Sequence, residues 1–452
     1  MRFRSTRNPS LDVGFEEAVF RGLAPDGGLY HPIDNPDLTE LFRGLPLGVA
    51  FEEVAGRLVE ALFPEMADPF AIAHRAFPFA PALSTLPTRV KSGDGPNAVG
   101  VQSKGKPSPE SVSILELYHG PSCAFKDFGA SFLATVMEGF LKARERRAVI
   151  LTATSGDTGS AVAQAFYRKE NIDVVVLYPS GRVSPLQEKQ LTTLGDNIVA
   201  LEVKGSFDDC QRMAKEAFVD PELSKRITLT SANSINLGRL LPQAFYYVWA
   251  WAQLRRRENL YFSVPSGNFG NLTAGVMAWR WGLPVSGFIA ATNRNDVVPE
   301  YLKTGRFNPR PSVSTYSNAM DVGNPSNFER LLAIFAGDWK GMSAMIAEEV
   351  VTDDETLQTI REVYERTEAI LDPHTAVGYL ASQRFLADHA GAQVVSLSTA
   401  HPGKFVEVVE KTIGVRPELP PALSRLLELP KHSVVIDNTL GALSAFLLDH
   451  FA

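Results

Sequence analysis

Cysteine is nearly absent: Cys123 and Cys210 are the only two in 452 residues, and neither belongs to a CxxC pair. Two isolated thiols exclude a disulfide framework and point to a reducing, cytoplasmic setting. A basic excess is absent too. Lys and Arg total 44 against 51 Asp and Glu, a net charge of -7, so the electrostatic footprint of a nucleic-acid or anionic-membrane partner is missing. No apolar run approaches the roughly 18 residues that a membrane span needs. The basic opening Met1–Arg7 leads through Asn8-Pro9 to acidic Asp12, Glu16 and Glu17 with no apolar stretch between. Neither a secretory signal nor a cleaved organellar leader is expected from that pattern. Internal repeats, a Walker A loop and a GxGxxG fingerprint are also lacking, and no His or Cys spacing suggests a metal site.

What remains is an ordinary globular balance, 45% hydrophobic and 21% charged, in a chain long enough for about two or three domains. The first ninety or so residues read as mainly helical. Pro81 to Pro109 is dense in Pro, Gly, Ser and Lys and marks a boundary or exposed loop. Beyond it, short β-branched apolar runs alternate with helical patterns. Strands are expected at 113–118, 148–153, 173–178, 197–203, 260–264, 285–290 and 393–398, and helices at 131–144, 160–169 and 272–281. Such continuous apolar strands are buried on both faces, which predicts an α/β fold with parallel sheets. Asp372-Pro373 reads as a helix N-cap with proline at the first helical position.

Three strand-to-helix junctions carry unusual glycine and hydroxyl content, and ligands in open α/β sheets bind at such carboxyl ends of strands. In Glu116–Gly129, Lys126 lies between Phe125 and Phe128. Desolvation there would favour the unprotonated amine that imine chemistry needs, although a surface lysine covering apolar neighbours with its stem fits the same residues. In Thr152–Ala161, hydroxyls and amides of Thr154, Ser155, Asp157 and Thr158 suit an anion nest or a capped tight turn. In Val264–Asn271, two glycines and two asparagines allow close backbone approach to a phosphate. An imine-capable lysine, a carboxylate loop and a phosphate loop together are what pyridoxal-phosphate (PLP) chemistry on an amino acid requires.

The segments FKDFGA, TSGDTGSA and SGNFGN resemble those of the threonine synthase family, among PLP enzymes of fold type II, the tryptophan-synthase β-subunit fold. The likeness runs on through Asn233–Arg239, Asn293–Asp296, Ser317–Val322, Asp372–Gly378 and Leu397–Phe405, and includes Gly27-Gly28-Leu-Tyr near the start. The resemblance implies two parallel-sheet α/β domains after a mainly helical N-terminal domain (1–95). The large PLP domain would comprise 96–126 and 231–452, and the small domain 127–230. It implies that Lys126 holds PLP as an imine and moves protons. Phe125 would border the cofactor, Gly267, Asn268, Phe269, Gly270 and Asn271 would cradle its phosphate, and Thr399 would face the pyridine nitrogen. Thr154, Ser155 and Thr158 would bind the substrate carboxylate, with Asp157 near the cofactor's phenolic oxygen. Many relatives carry Asn there, so that contact need not be the same. Asn233, Ser234 and Arg239 would take the substrate phosphate.

The reaction so implied is a carbon–oxygen lyase reaction of threonine biosynthesis. O-phospho-L-homoserine and water give L-threonine and phosphate by γ-elimination and β-replacement, in a monomer or homodimer. A phospholyase releasing 2-oxobutyrate from the same substrate, or a non-catalytic PLP-binding homologue, are the alternatives. Lys404 is left between a phosphate contact and a loop cap.

Overall fold

The computed structural model describes residues 1–86, 112–154 and 156–452. Ser155 and the expected 95/96 boundary lie outside the described residues. In chain order, β1 (Phe3–Ser5) and β2 (Tyr30–Pro32) form a small antiparallel pair. β3 (Ala82–Thr85) and β4 (Val112–Glu116) begin a six-stranded sheet. β5 (Ala148–Ala153), β6 (Ile172–Pro179), β7 (Ile198–Lys204) and β8 (Leu229–Thr230) build a second sheet. The chain then returns to the first sheet for β9 (Leu260–Pro265), β10 (Gly287–Thr292), β11 (Ile346–Val350) and β12 (Gln393–Ser398). Finally β13 (Val434–Asp437) goes back to the second.

The large sheet has the order β11-β10-β9-β12-β4-β3 and the second β13-β7-β6-β5-β8. Every pair in both is parallel except β3 with β4. The α/β fold with parallel sheets expected from the sequence is therefore present. Two assignments of segments need correction. β3 belongs to the large sheet rather than to the helical N-terminal part, and β13 joins the second sheet, with the helix Leu440–Phe451 packed in the same core, rather than the large domain. Both are four-residue edge strands with no fully buried residue, so neither leaves the apolar signature by which the central strands are recognised.

The N-terminal segment is held by apolar burial. In the helix Phe51–Leu62, Phe51, Val54, Ala55, Leu58, Val59 and Leu62 are buried at three- and four-residue spacing. Each large side chain so buried contributes about 1.5–3 kcal/mol relative to exposure. The helix packs on Pro69–Ala76 and Gln243–Gln253, and Phe51 reaches the helix Lys126–Arg144 through Phe128, ring centroids 5.3 Å apart. Arg330, fully buried, ties this region to the rest: Nε donates to the Tyr30 carbonyl at 2.8 Å and Nη2 to that of Ile235.

Helix Lys126–Arg144 also packs on the Asn233–Arg239 turn, with no room for a side chain between them. A Cβ on Gly129 would lie 2.4 Å from the Arg239 carbonyl oxygen, whereas one on Gly139 of the same helix would meet nothing within 4 Å. Gly139→Ala is expected to be neutral or to stabilise by up to ~1 kcal/mol through helix propensity. Gly129→Ala should destabilise by about 1–3 kcal/mol because the helix must move off the turn. Thermal unfolding of the two variants side by side checks this, and equal melting temperatures would refute the close approach.

Candidate active site

Lys126 is positioned by a zipper between the loop after β4 and the turn after β12. Leu117 N donates to Ser398 O (2.9 Å), Phe125 N to Thr399 O (2.8 Å) and His401 N to Cys123 O (3.1 Å). Thr399 thus sits beside the residue preceding Lys126, at the carboxyl end of a central strand. The Lys126 ammonium lies 5.6 Å from the Phe125 ring centre, and its side chain is 18% exposed. Burial lowers its pKa, Lys404 and Arg239 add to that, and Asp157 at 3.8 Å opposes them. The amine is therefore prepared to lose its proton, as a nucleophile must.

The turn after β5 is built on Thr154. Its hydroxyl donates to Gly156 O (3.0 Å) and accepts from Gly156 N (3.1 Å) and Gly159 N (2.9 Å). A hydroxyl has one proton and two lone pairs, so these bonds use all of it. Thr154 braces the loop instead of presenting its side chain, which departs from the direct carboxylate contact expected for it. Asp157 and Thr158 open the helix Asp157–Phe166. Burial works against the Asp157 charge, but Lys404 and Lys126 hold its carboxyl well below the usual range.

The turn after β9 leads into the helix Gly270–Arg280 through Phe269 in a left-handed conformation, φ 59°. Gly267 packs flush on the Ser317–Val322 segment, since a Cβ there would lie 2.7 Å from Met320 Cα. That segment is pinned from two sides. Asn293 Nδ2 donates to Thr315 Oγ1 (2.8 Å) and Asp321 Oδ1 (2.9 Å). His374 Nε2 accepts the Ala319 N–H (3.2 Å) while Nδ1 meets Asp372 Oδ1 at 2.8 Å. Asp372 also caps its helix, accepting from the backbone N–H groups of His374 and Thr375, as read from the sequence. The motifs at 293–296, 317–322 and 372–378 thus act as one support behind the glycine-rich turn. Asn271 Oδ1 accepts from the hydroxyls of Tyr246 (2.6 Å) and Tyr247 (2.7 Å), which leaves its buried Nδ2 without a partner among the described residues.

The third loop joins the other two. Asn233 Oδ1 accepts from Thr152 Oγ1 of β5 (3.0 Å), and Ser234 Oγ accepts from Asn268 Nδ2 (2.9 Å). Arg239 is 2% exposed; Nη1 donates to Ala232 O at 2.8 Å. Its Nε has no hydrogen-bond partner, and it makes no ion pair among the described residues. Burial pushes its pKa down to about 10, with Asp127 pulling the other way. A buried guanidinium with an idle donor is costly unless an anion completes it.

The sequence reading missed Thr152 and left Lys404 undecided. Lys404 is 1% exposed on its side chain, 2.6 Å from Asp157 Oδ1, and donates to Ser122 O at 2.8 Å. No local pattern reveals that burial.

These features fit PLP and an anionic substrate. Lys126 offers an amine for the cofactor's aldehyde, and helix N-terminal amides behind Gly267 suit its phosphate. Arg239 and Asn271 each keep a buried donor without a partner among the described residues, which an anion or another acceptor would satisfy. Among the described residues no His/Cys/Asp/Glu group could hold a metal ion, and no helix is long and apolar enough to cross a membrane.

Comparison with known proteins agrees. Residues 103–400 match the family model of pyridoxal-phosphate dependent enzymes, 2–69 that of the threonine synthase N terminus, and 375–447 that of the threonine synthase C-terminal region. Threonine synthase of Haemophilus influenzae is 40% identical over 453 residues, spanning 99% of this chain and all of that protein. The crystal structure of PLP-bound threonine synthase from Brucella melitensis superposes with a TM-score of 0.87 at 34% identity, covering 100% of this chain and 99% of that one. The Escherichia coli threonine synthase structure gives a TM-score of 0.82 at 40% identity, with full coverage of both chains. With the lysine, the loops and the fold all in place, the chain belongs to the threonine synthase family of PLP-dependent enzymes.

Proposed function

We propose that this enzyme converts O-phospho-L-homoserine and water to L-threonine and phosphate. The observation that carries this reading is Arg239: a buried cation with an idle donor, in the turn that packs against the Lys126 helix. A substrate bearing its own phosphate supplies the missing anion. Asn233 and Ser234 lie in the same turn and complete the phosphate site.

PLP, when bound, supplies the electron sink that elimination and replacement chemistry needs. Lys126 carries it and moves protons, with its nitrogen kept weakly basic by burial. Gly267, Asn268, Phe269, Gly270 and Asn271 would hold the cofactor phosphate, Phe125 would border the cofactor and Thr399 would face its pyridine nitrogen. Thr158, Ser155 and the backbone amides of the loop braced by Thr154 take the substrate carboxylate. The large sheet so carries the cofactor loop and the second sheet the carboxylate loop. Asn268 donating to Ser234 links the cofactor turn to the substrate-phosphate turn. Two buried free cysteines accord with a reducing, cytoplasmic location.

Product analysis after incubating the purified PLP-bound protein with O-phospho-L-homoserine tests the proposal. Threonine and phosphate in equal amounts are expected. Release of 2-oxobutyrate and ammonia in place of threonine would make the enzyme a phospholyase.

A further inference from the structure

Lys404 is as deeply buried as any cation near Lys126 and has no part in the reaction just described. It divides a carboxylate with Lys126. Asp157 Oδ1 lies 2.6 Å from Lys404 Nζ, and Oδ2 lies 3.8 Å from Lys126 Nζ. Lys404 is itself aimed by its bond to the Ser122 carbonyl, which also accepts from Gln190 Nε2 at 3.2 Å. Ser122 is fixed in turn by its N–H to Asp127 Oδ2, 2.9 Å.

We propose that Lys404 is a positioning residue that acts through Asp157, keeping that carboxylate charged and turned so that, once Lys126 carries PLP, Oδ2 holds a proton on its nitrogen. The idea rests on Lys126 as the PLP-bearing residue.

The argument is one of competing costs. A carboxyl side chain only 6% exposed is driven by desolvation to take up a proton. Lys404 offsets that by direct contact, and Lys126 adds less from farther away. Around Lys126 the charges are mixed: Lys404 and Arg239 disfavour its proton and Asp157 favours it. His374 also faces Asp157, and Asp127 and Cys123 border the same turn. Without Lys404, Asp157 would neutralise and leave Lys126 facing Arg239 with no carboxylate to oppose it. Lys404 has two opposite influences on Lys126, a direct repulsion and an indirect support. We assign the larger share to the indirect one.

The experiment follows the visible absorbance of the PLP-bound full-length protein against pH, which reads the proton on the Lys126 nitrogen independently of turnover. Borohydride reduction and peptide mapping first place PLP on Lys126; PLP found on another lysine would overturn this inference and the lysine assignment together. With PLP on Lys126, the Lys404→Met midpoint should fall by about one pH unit or more. Asp157→Asn should lower it similarly, and Lys404→Arg should restore it toward the parent value. The double variant should match Asp157→Asn alone, because the main influence of Lys404 runs through the carboxylate that Asp157→Asn removes. A midpoint that rises in Lys404→Met, or single effects that add in the double variant, would overturn the proposal. If Lys404→Met does not fold, comparison of the double variant with Asp157→Asn decides: equal midpoints support it and different ones refute it.

Discussion

Lys126→Ala abolishes the visible absorption of protein-bound PLP and stops turnover. Lys126 stands at the start of its helix, beside the Phe125 ring and within reach of Asp157. On the proposed reading, its amine is the group that would hold PLP and move protons on the substrate. A positioned acid–base group alone contributes about 10²–10⁴-fold, and the covalent attachment is lost as well. The folded state should persist, because the alanine keeps the helix and removes no hydrogen bond of the Lys126 side chain on which neighbouring loops depend. Absorption spectra with a threonine assay check this; a parent-like spectrum with retained activity would remove the basis of the site assignment.

Arg239→Leu lowers kcat/KM for O-phospho-L-homoserine by roughly 10–150-fold, the loss of about 1.5–3 kcal/mol from a charged, fork-like hydrogen-bonding group. PLP affinity should change little, since the cofactor phosphate is assigned to the separate turn at Gly267–Asn271. Leucine gives up only the bond to Ala232 O and relieves a buried charge, so stability is not expected to collapse. Arg239→Lys should recover part of the loss but not the paired geometry. Parallel kinetics with serine in a side reaction make the check specific. Equal losses for the phosphorylated and unphosphorylated substrates would mean that Arg239 supports the fold rather than the phosphate.

The central strands were legible in the sequence because burial on both faces leaves continuous apolar runs: β5 and β12 fall where the pattern places them, at Ala148–Ala153 and Gln393–Ser398. β11 was not, since Ile346-Ala-Glu-Glu-Val is a half-exposed edge with two glutamates. β8, with only Leu229 and Thr230, is too short to have a pattern. In the site, glycine-rich junctions announce themselves because a tight turn restricts residue choice. The depth at which Lys404 lies depends on three segments meeting, and a lysine in a loop reads locally as solvated. Thr154 shows the converse: its type is right for an anion loop, yet its hydroxyl is taken up by Gly156 and Gly159.

The last strand has a consequence for how the protein is made. Lys204 of β7 meets Asp437 of β13 across 233 residues, and Leu443 and Leu447 of the helix that follows share a core with Cys210 and Met213. During synthesis the second sheet must wait, with β7 as an open edge, while the whole of β9 to β12 is added. Such long-range closure slows folding and leaves a template for pairing between nascent chains. Lys204 at the end of that edge and Glu202 within it place charge where the strand would otherwise recruit a neighbour. The segment from Val434 to Phe451 thus closes a sheet assembled from two distant stretches of the chain, and covers an edge of β7 that is open until it arrives.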